Sequence, residues 1–397
     1  MHRFTVPLTL LALAAATPAR AQLPPGFDAA WRALTSAHRD TLRAAGIVGA
    51  TLAFVRNGRI VAVDYYGMAD LATSRPVDAH TIYHWASITK TFTAVSVMQL
   101  RDRQLLALDD PVVKYVPELR AIYDPYGPVD AITLRQLMSH SAGFRNPTWP
   151  WGGDQPWQPF EPTKWSQLVA MMPYTRIYFP PGSRFSYSNP GIIFLARALE
   201  KVTGDVYEAY VDKNIFRVLD MRESYFDRTP WHLLPHRSNN YRVEDGKPVA
   251  NGLDFNTGIT VSNGGLNAPV TDMAKWLGFL MGRPADRQAQ YDEVLSRSSL
   301  EEMWREVVPT GQASPLGREG MGLCFFLYQR DGHRIIGHTG TQASFRSFFL
   351  LDPDTGIGVI GVYNTAGGDD TAPDTRGILD AIRGRVVDEL FPLFWHD

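Results

Sequence analysis

The 397-residue chain is predicted to adopt an α/β (α+β) fold, with one antiparallel sheet built from both ends of the chain. Three observations predict it. Strand-rich runs occur near the N-terminus, others occur near the C-terminus, and the stretch between them has mostly helical periodicity. Because strands must pair and cover their apolar faces, we expect the two ends to share a sheet flanked by helices. The mostly helical stretch, roughly 100–320, is then an inserted subdomain.

Residues 1–21 have the composition of a signal peptide. Arg3 precedes an apolar run from Phe4 to Ala16, and Ala19-Arg20-Ala21 ends the stretch with a small-x-small cleavage site. A membrane anchor is the alternative, but the run is shorter than the ~20 residues that cross a bilayer. We therefore expect cleavage near Ala21 and a single mature domain over 22–397. It is expected to be periplasmic or secreted and not to insert into the membrane.

Charge and cysteine content exclude several kinds of partner and bond. Loss of Arg3 and Arg20 with the signal peptide changes the net charge from −2 to −4. This mild balance gives no electrostatic reason to bind nucleic acid or an anionic membrane. Cys324 is the only cysteine, so no internal disulfide can form even in an oxidising compartment.

The mature chain is predicted to begin with a helix and a hairpin. Phe27 to Ala45 is an amphipathic helix pattern. Gly49 to Val55 and Arg59 to Tyr66 are β-rich runs, and the Asn57-Gly58 pair between them is the strongest short hairpin signal. A helix is predicted next, from Ser87 to Leu100.

Helical patterns then dominate to about Leu300. Asp109-Asp110-Pro111 and Thr133 have the side chains that begin helices, because they cap or suit the first turn. Gly143 and Gly204 are predicted to end helices.

A segment rich in Pro, Gly and Trp runs from Phe144 to Trp165. A long loop without secondary structure in a compact domain is often functional. Its aromatic side chains suit the wall of a pocket for an apolar substrate. A loop packed on the helical layer explains the same composition, and the sequence leaves both open.

The C-terminal part is predicted to return to strands and to end in a helix. The strand runs are Met321–Tyr328, Arg334–Gly337, Ser344–Leu351 and Gly356–Val362, and the helix runs from about Thr375 to Leu390. The last strand run contains G-x-G-x-x-G. A dinucleotide site needs a strand before this pattern and a helix after it. Here the pattern follows a turn and is itself a strand, so it predicts no cofactor.

Other familiar patterns point to neither a metal site nor an α/β-hydrolase. His80 and His84 are spaced i, i+4, but there is no H-E-x-x-H and no helical pattern around them. We interpret both as structural. The chain has no G-x-S-x-G elbow. We therefore predict a site that works without metal or cofactor.

The first chemical signal is Ser87-Ile88-Thr89-Lys90. A serine hydroxyl is too weakly acidic to attack a carbonyl without a neighbouring base. Residues i and i+3 of a helix lie on one face, so Lys90 can reach the Ser87 oxygen. Of the seven lysines, only Lys90 has a serine three residues before it.

The second signal is Tyr187-Ser188-Asn189, the only Tyr-x-Asn in the chain. A tyrosine near the Lys90 ammonium is expected to ionise below its ordinary pKa of ~10 and to carry a proton. Asn189 is suited to contact a substrate carbonyl. A structural tyrosine in a loop is the alternative for this motif alone.

The third signal is His338-Thr339-Gly340 at the start of a strand. The backbone N–H of Thr341 and that of Ser87 are suited to form an oxyanion hole. Gly340 is expected to let the substrate approach the strand closely.

Together, and in this order, the three motifs resemble those of the serine β-lactamase/penicillin-binding-protein superfamily, given as S-x-x-K, S-D-N and K-T-G. The nearest likeness is the class C β-lactamase branch, which includes family VIII carboxylesterases, D-aminopeptidases and DD-peptidases and has Tyr-x-Asn as second motif. Further similar stretches are Leu108–Pro111, Thr133–Gly143 and Gly264-Gly265-Leu266. The likeness runs from about Gly46 to Asn364. It implies a β-lactamase-like fold.

The resemblance implies Ser87 as nucleophile, Lys90 and Tyr187 as the acid/base pair, and Asn189 as a substrate contact. Which of the pair takes the first proton is left open. The chain departs from the pattern at His338, where the family has a lysine that helps to hold a substrate carboxylate. Histidine is mostly neutral at pH ~7.5 and gains charge towards pH ~6. Arg346 is a candidate replacement.

We therefore expect a serine hydrolase that forms an acyl-enzyme on small molecules. A carboxylesterase is the first expectation, because an ester needs no carboxylate anchor. D-amino-acid peptidase or DD-peptidase activity is the alternative, followed by β-lactam hydrolysis. A protein of another class, a sensor that is acylated without turnover, would be free to lose Lys90 and Tyr187, yet both are present.

Overall fold

The computed structural model describes residues 23–144, 163–252, 257–367 and 374–395. The predicted signal peptide and most of the Phe144–Trp165 segment lie outside these residues. Within the described ranges, no helix combines the length and apolar character needed to cross a bilayer.

The strands fall into three sheets. In chain order they are β1 (Gly49–Arg56), β2 (Arg59–Asp70), β3 (Arg75–Pro76), β4 (Ile82–His84), β5 (Tyr225–Phe226), β6 (Tyr241–Glu244), β7 (Lys247–Ala250), β8 (Leu266–Pro269), β9 (Val308–Pro309), β10 (Glu319–Met321), β11 (Phe326–Arg330), β12 (His333–Gln342), β13 (Phe345–Asp352), β14 (Ile357–Tyr363) and β15 (Thr365–Gly367). The large sheet, counted over the described residues, has nine strands in the order β3-β2-β1-β14-β13-β12-β11-β10-β9. Strand β1 pairs antiparallel with β14, with Ala50 opposite Tyr363. The predicted sheet from both ends of the chain is therefore confirmed.

Helices cover both faces of this sheet. They are α1 (Phe27–Ala44), α2 (Thr89–Asp102), α3 (Leu134–Met138), α4 (Trp165–Met171), α5 (Asn189–Thr203), α6 (Tyr207–Val211), α7 (Val261–Gly264), α8 (Val270–Met281), α9 (Gln288–Val294), α10 (Arg297–Met303) and α11 (Thr375–Arg385). Two π-helical turns follow α6 and α11, at Asp212–Phe216 and Val386–Leu390. Short 3₁₀ turns connect several of these elements, and the one at Ala86–Ile88 leads into α2.

Alternate residues of the central strands face two separate apolar cores. On β13, Phe348 and Leu350 pack into the core formed with α1 and α11, whereas Phe349 and Leu351 pack into the core formed with α2, α5 and α8. This is the period of two that a strand imposes on its side chains. Each such side chain contributes about 1.5–3 kcal/mol by leaving water. The sheet is thus fixed from both sides, and one side holds the predicted site.

Local sequence signals predicted several elements well. The first helix and the hairpin lie where expected, and Asn57 and Gly58 have φ of 49° and 72°. Two residues with positive φ are what a type I′ turn requires. Thr133 begins α3 through a capping box with Gln136, and Gly204 ends α5 with φ of 76°. The G-x-G-x-x-G run is strand β14, as predicted.

Three predictions of secondary structure were wrong. Met321–Tyr328 is two strands, because the buried Cys324 turns away with φ of 61°. Its N–H and its Sγ both bond to the Met138 carbonyl, at 2.8 and 3.2 Å, and this holds the chain towards the helical layer. Pro111 begins only a 3₁₀ turn, and α3 ends at Met138, before Gly143.

Two small sheets that the sequence did not predict have most of their strands in the mostly helical stretch. Strands β4, β8 and β5 form one small sheet, and β15, β6 and β7 form another. Strands β4 and β8 are buried throughout, and none of the six strands exceeds four residues, so their patterns are too short to stand out.

Candidate active site

Ser87 lies in the 3₁₀ turn that precedes α2, a position fixed by bonds to two strands. The Trp85 N–H donates to the Leu266 carbonyl at 2.8 Å, and the Ser347 hydroxyl donates to the Trp85 carbonyl at 3.0 Å. Ala86, directly before the serine, has φ of 49°. A left-handed conformation in a residue with a Cβ is strained and persists only where the surroundings enforce it. The turn therefore holds Ser87 in one orientation.

Lys90 lies under Ser87, as the spacing predicted. Its Nζ donates to the Ser87 Oγ at 3.0 Å and to the Asn263 carbonyl at 2.7 Å. The side chain is fully buried and forms no ion pair with a carboxylate among the described residues. Burial without a counter-charge lowers the pKa of Lys90 to about 7. A substantial fraction of Lys90 is therefore a neutral amine near neutral pH, able to accept a proton.

Tyr187 completes this group from the loop before α5. Its ring lies 4.9 Å from the Lys90 Nζ, and its hydroxyl is buried near that of Ser87. Burial raises the pKa of Tyr187 above its ordinary value, and the neighbouring Ser87 hydroxyl opposes the rise. The expectation of a lowered pKa was wrong, because burial is the largest influence on this hydroxyl.

Asn189 is the first residue of α5 and lines the same cavity as Ser87. The Ser188 hydroxyl accepts a hydrogen bond from the Gly191 N–H at 3.2 Å and so caps the helix. The Asn263 side chain donates to the Asn189 carbonyl at 3.4 Å. These bonds place Tyr187 and Asn189 on the two sides of one helix cap.

Strand β12 forms the opposite wall, where Thr339, Gly340 and Thr341 line the cavity. A Cβ at Gly340 would lie 2.2 Å from the Trp85 carbonyl oxygen and 2.4 Å from the Ser347 Oγ. Glycine is therefore required for the strand to pack against the Ser87 turn, a different reason from the predicted approach of substrate.

His338 does not line the cavity. Its side chain is buried beneath the wall, with Nδ1 2.6 Å from the Thr339 carbonyl and the ring between Tyr187 and Phe326. Burial and the nearby Lys90 lower the pKa of His338 to about 3. The expectation that His338 gains charge towards pH ~6 was therefore wrong.

The cavity, about 510 Å³, is also lined by three arginines, of which Arg383 is ion-paired with Asp380. Arg346 on β13 was a candidate from the sequence, whereas Arg376 on α11 was missed. Burial and the charge of Arg376 lower the pKa of Arg346, so the two guanidinium groups are close. Neither forms an ion pair within the described part of the chain. Only the tertiary fold brings α11 to this cavity, and no local signal marks Arg376.

The two histidines considered as metal ligands lie apart from this cavity. His84 is buried and faces Asn267 and Gln342 at 3.1 and 3.2 Å, and His80 is exposed, 3.7 Å from Glu223. Across the residues that the structure describes, no three His, Cys, Asp or Glu side chains are grouped to hold a metal ion.

Comparison with known proteins gives a family and a fold. Residues 32–383 match the family model described as Beta-lactamase. Protein flp of Staphylococcus aureus strain COL is 25% identical over 318 residues, which are 80% of this chain and 60% of flp. Penicillin-binding protein 4* of Bacillus subtilis strain 168 is 23% identical over 314 residues, 76% of this chain and 64% of that protein. The chain thus spans less than two thirds of these relatives.

Solved structures agree with this family. An octameric penicillin-binding protein homologue from Pyrococcus abyssi has a TM-score of 0.72 and 27% identity, over 84% of this chain and 73% of that one. A class C beta-lactamase has a TM-score of 0.73 over 92% of this chain and 97% of that one. Its identity is 18%, so this second likeness concerns the fold alone.

Proposed function

Since the chain belongs to the beta-lactamase family, a family of serine hydrolases, we propose that it hydrolyses small carboxylic esters through an acyl-enzyme on Ser87. The observation that carries the proposal is the 3.0 Å contact between the Ser87 hydroxyl and a buried Lys90 whose pKa is about 7. A base whose pKa lies near the working pH is the most effective proton acceptor.

In the first step the Ser87 Oγ attacks the ester carbonyl while its proton passes to neutral Lys90. The negative charge that develops on the carbonyl oxygen is met by the N–H groups of Ser87 and Thr341, which border one cavity. Tyr187 with its raised pKa is scarcely ionised at neutral pH. The pKa values therefore favour Lys90 as the first acceptor.

In the second step the tetrahedral intermediate expels the alcohol, which needs a proton. Tyr187 lines the cavity with its ring 4.9 Å from the Lys90 Nζ, and its hydroxyl is proposed to pass that proton to the leaving oxygen and to be reprotonated by Lys90. Water then attacks the acyl-enzyme with Lys90 again as base, and Ser87 leaves with its proton restored. Asn189 is proposed to contact the acyl group of the substrate.

An ester is the first choice because it needs no cation in the place of the family's lysine. His338, which stands there, is buried and neutral above pH about 3. Ester carbonyls are also more reactive than amides, so positioning and a modest base suffice.

A second candidate is hydrolysis of carboxylate-bearing amides, such as D-peptides or β-lactams. It is favoured by Arg346 and Arg376, which face the cavity without a carboxylate partner in the described residues. Guanidinium groups bind carboxylates with charge-assisted, often bidentate hydrogen bonds.

Mass spectrometry separates these functions from a sensor that is acylated without turnover. The protein is mixed with p-nitrophenyl butyrate, with a β-lactam and with a fluorophosphonate, and Ser87→Ala serves as control. We expect a stable fluorophosphonate adduct, a short-lived butyryl adduct and release of nitrophenol over many turnovers. A permanent butyryl adduct without turnover would instead identify a sensor.

The proposed export has its own test. Residues 1–21 are proposed to direct the chain to the periplasm or outside, and N-terminal sequencing of the protein from a bacterial host should begin near Gln22. An N-terminus that still includes Met1 in a cytosolic fraction would contradict it.

A further inference from the structure

We propose that His140, which the reaction above does not use, is the positioning residue that aims Tyr187 at Ser87 and Lys90. The inference rests on the proposed function, because it assigns a partner to the proton-carrying tyrosine. It is carried by the contacts of one residue, His140, with three consecutive residues of the loop before α5.

His140 holds the residues on both sides of Tyr187 by hydrogen bonds. Its carbonyl accepts from the Ser186 N–H at 2.8 Å, and its Nδ1 accepts from the Ser188 N–H at 3.1 Å. Between these bonds the imidazole stacks on the Tyr187 ring, with centroids 4.4 Å apart and planes 28° apart. The Gly182 N–H donates to the Ser141 carbonyl at 2.7 Å and continues the same attachment. The loop that carries Tyr187 therefore takes its conformation from His140.

The hydrogen bonds also define the state of the ring. Because Nδ1 accepts from a backbone N–H, the imidazole proton is on Nε2 and the ring is neutral. Burial, with the nearby charge of Lys90, keeps the pKa of His140 well below its ordinary value, which agrees with a neutral ring. A neutral stacked imidazole can hold Tyr187 without competing with Lys90 for the Ser87 proton.

The backbone at His140 has a strained conformation at the point where its side chain contacts Tyr187. Its φ is 53°, a left-handed conformation just after the end of α3. Such a conformation in a residue with a bulky side chain persists where the surrounding structure enforces it, and it occurs often at active sites. Asparagine and glycine adopt it at little cost. These two residues therefore give substitutions that test the side chain rather than the backbone.

His38 offers a matched control. It is also a buried histidine against a tyrosine, with its Nε2 3.2 Å from the Tyr363 hydroxyl and ring centroids 5.7 Å apart. It lies on α1, on the other face of the sheet from Ser87. A histidine that only fills a core should behave like His38.

The experiment is a double-mutant cycle read as kcat and KM on p-nitrophenyl butyrate. His140→Gly and His140→Asn are made in the wild type and in Tyr187→Phe, and His38→Ala is made in both as control. We expect His140→Gly to lower kcat about 10- to 100-fold with little change in KM, as for a displaced catalytic group. His140→Asn should restore most of kcat, because its Oδ1 can accept from the Ser188 N–H. In Tyr187→Phe the loss caused by His140→Gly should shrink to about 2-fold or less.

The outcomes separate this inference from the proposed function. If Tyr187→Phe keeps full activity, the proposed proton path is wrong. If Tyr187→Phe lowers kcat strongly and His140→Gly costs the same factor in both backgrounds, only the positioning role is overturned. Equal effects of His140→Gly and His38→Ala on kcat would also overturn it. Should His140→Gly fail to fold, His140→Asn must retain more kcat than His140→Gln, whose longer side chain moves the acceptor away, and the reverse order contradicts the proposal.

Discussion

The basic side chains at the two ends of the cavity differ in protonation state. The floor, formed by Ser87, Lys90 and Tyr187, buries an amine without a counter-ion and thereby lowers its pKa to about 7, so that a substantial fraction is neutral. The rim, formed by Arg346 and Arg376, keeps two guanidinium groups charged at the edge of water. Burying a charge without a partner is costly, so the amine gives up its proton where the guanidinium groups do not. We therefore propose that reactivity is set at the floor and selectivity at the rim.

The floor and the rim of the cavity are also built from different secondary-structure elements. The floor is built from the Ser87 turn and α2, which bond to each other and through Trp85 to strands β8 and β13, and from the loop before α5, which bonds to His140. The rim is built from β13 and α11, which form part of the other core. Substitutions at the rim should therefore change the preference for substrate while leaving acylation chemistry intact.

The largest effect is expected from Ser87→Ala at the floor. Hydrolysis and covalent labelling should both disappear, because the Ser87 Oγ is the one hydroxyl of the described cavity that accepts a hydrogen bond from Lys90. Labelling by fluorophosphonate, measured by mass spectrometry, checks this. A full adduct on the variant would place the nucleophile elsewhere.

Lys90→Ala and Tyr187→Phe should each lower kcat by ~10²–10⁴, the usual contribution of a positioned acid or base. The losses should be far from additive in the double variant, since the two groups share one proton path. Steady-state kinetics with a folding check by circular dichroism measures this. Fully multiplicative losses would mean that the two act separately.

The pH profile tests whether the floor works through a neutral amine. With a pKa of about 7 for Lys90, kcat/KM on a neutral ester should fall about tenfold for each pH unit below that value. It should level off above pH about 8, because Lys90 is then deprotonated. A kcat/KM that stays constant down to pH 5 would contradict the assignment of this pKa to Lys90. The Lys90→Ala variant should not show the fall in kcat/KM below pH about 7.

At the rim, Arg346→Gln and Arg376→Gln should lower kcat/KM only for substrates that carry a carboxylate. A charge-assisted hydrogen bond contributes ~1.5–3 kcal/mol, which is about 10- to 100-fold in kcat/KM. The measurement compares p-nitrophenyl hemisuccinate with p-nitrophenyl butyrate. Arg184 packs over Phe179 in the neighbouring groove, and Arg184→Gln is therefore the control. Equal losses on both esters would assign the arginines a structural role.

The smallest effect is expected at His338, between the two regions. His338→Asn should leave the hemisuccinate/butyrate ratio within about 2-fold at pH 6 and at pH 8, because the imidazole is buried and its pKa is about 3. A ratio that shifts with pH in the wild type but not in the variant would restore His338 as a contact for the carboxylate.

The parts of the site that follow from local geometry were predicted from the sequence. The contact between Ser87 and Lys90 depends on their spacing along one helical turn, which holds wherever the helix lies. The start of α3 and the turn at Asn57-Gly58 are local in the same sense. The resemblance to a family supplied Tyr187, which the spacing alone did not join to Ser87.

The features of the site that could not be predicted from the sequence depend on burial and on contacts between residues far apart in the chain. The direction of the pKa shift at Tyr187 and the neutrality of His338 follow from burial that only the folded chain shows. The break at Cys324 depends on a carbonyl of α3, and the carbonyl that holds Lys90 comes from Asn263. Arg376 reaches the cavity through the packing of α11, far along the chain.

The pairing of β1 with β14 has a consequence for how the chain folds. Ala50 and Tyr363, opposite each other in the sheet, are about 310 residues apart. Contacts between residues so far apart form slowly, because the entropy of closing the loop is lost before the strands gain from pairing. Until the last strands have left the ribosome, β1 has only β2 to pair with and one of its edges stays open. Open edges invite pairing with other chains. Truncation before β14 should therefore yield aggregates rather than a smaller folded unit.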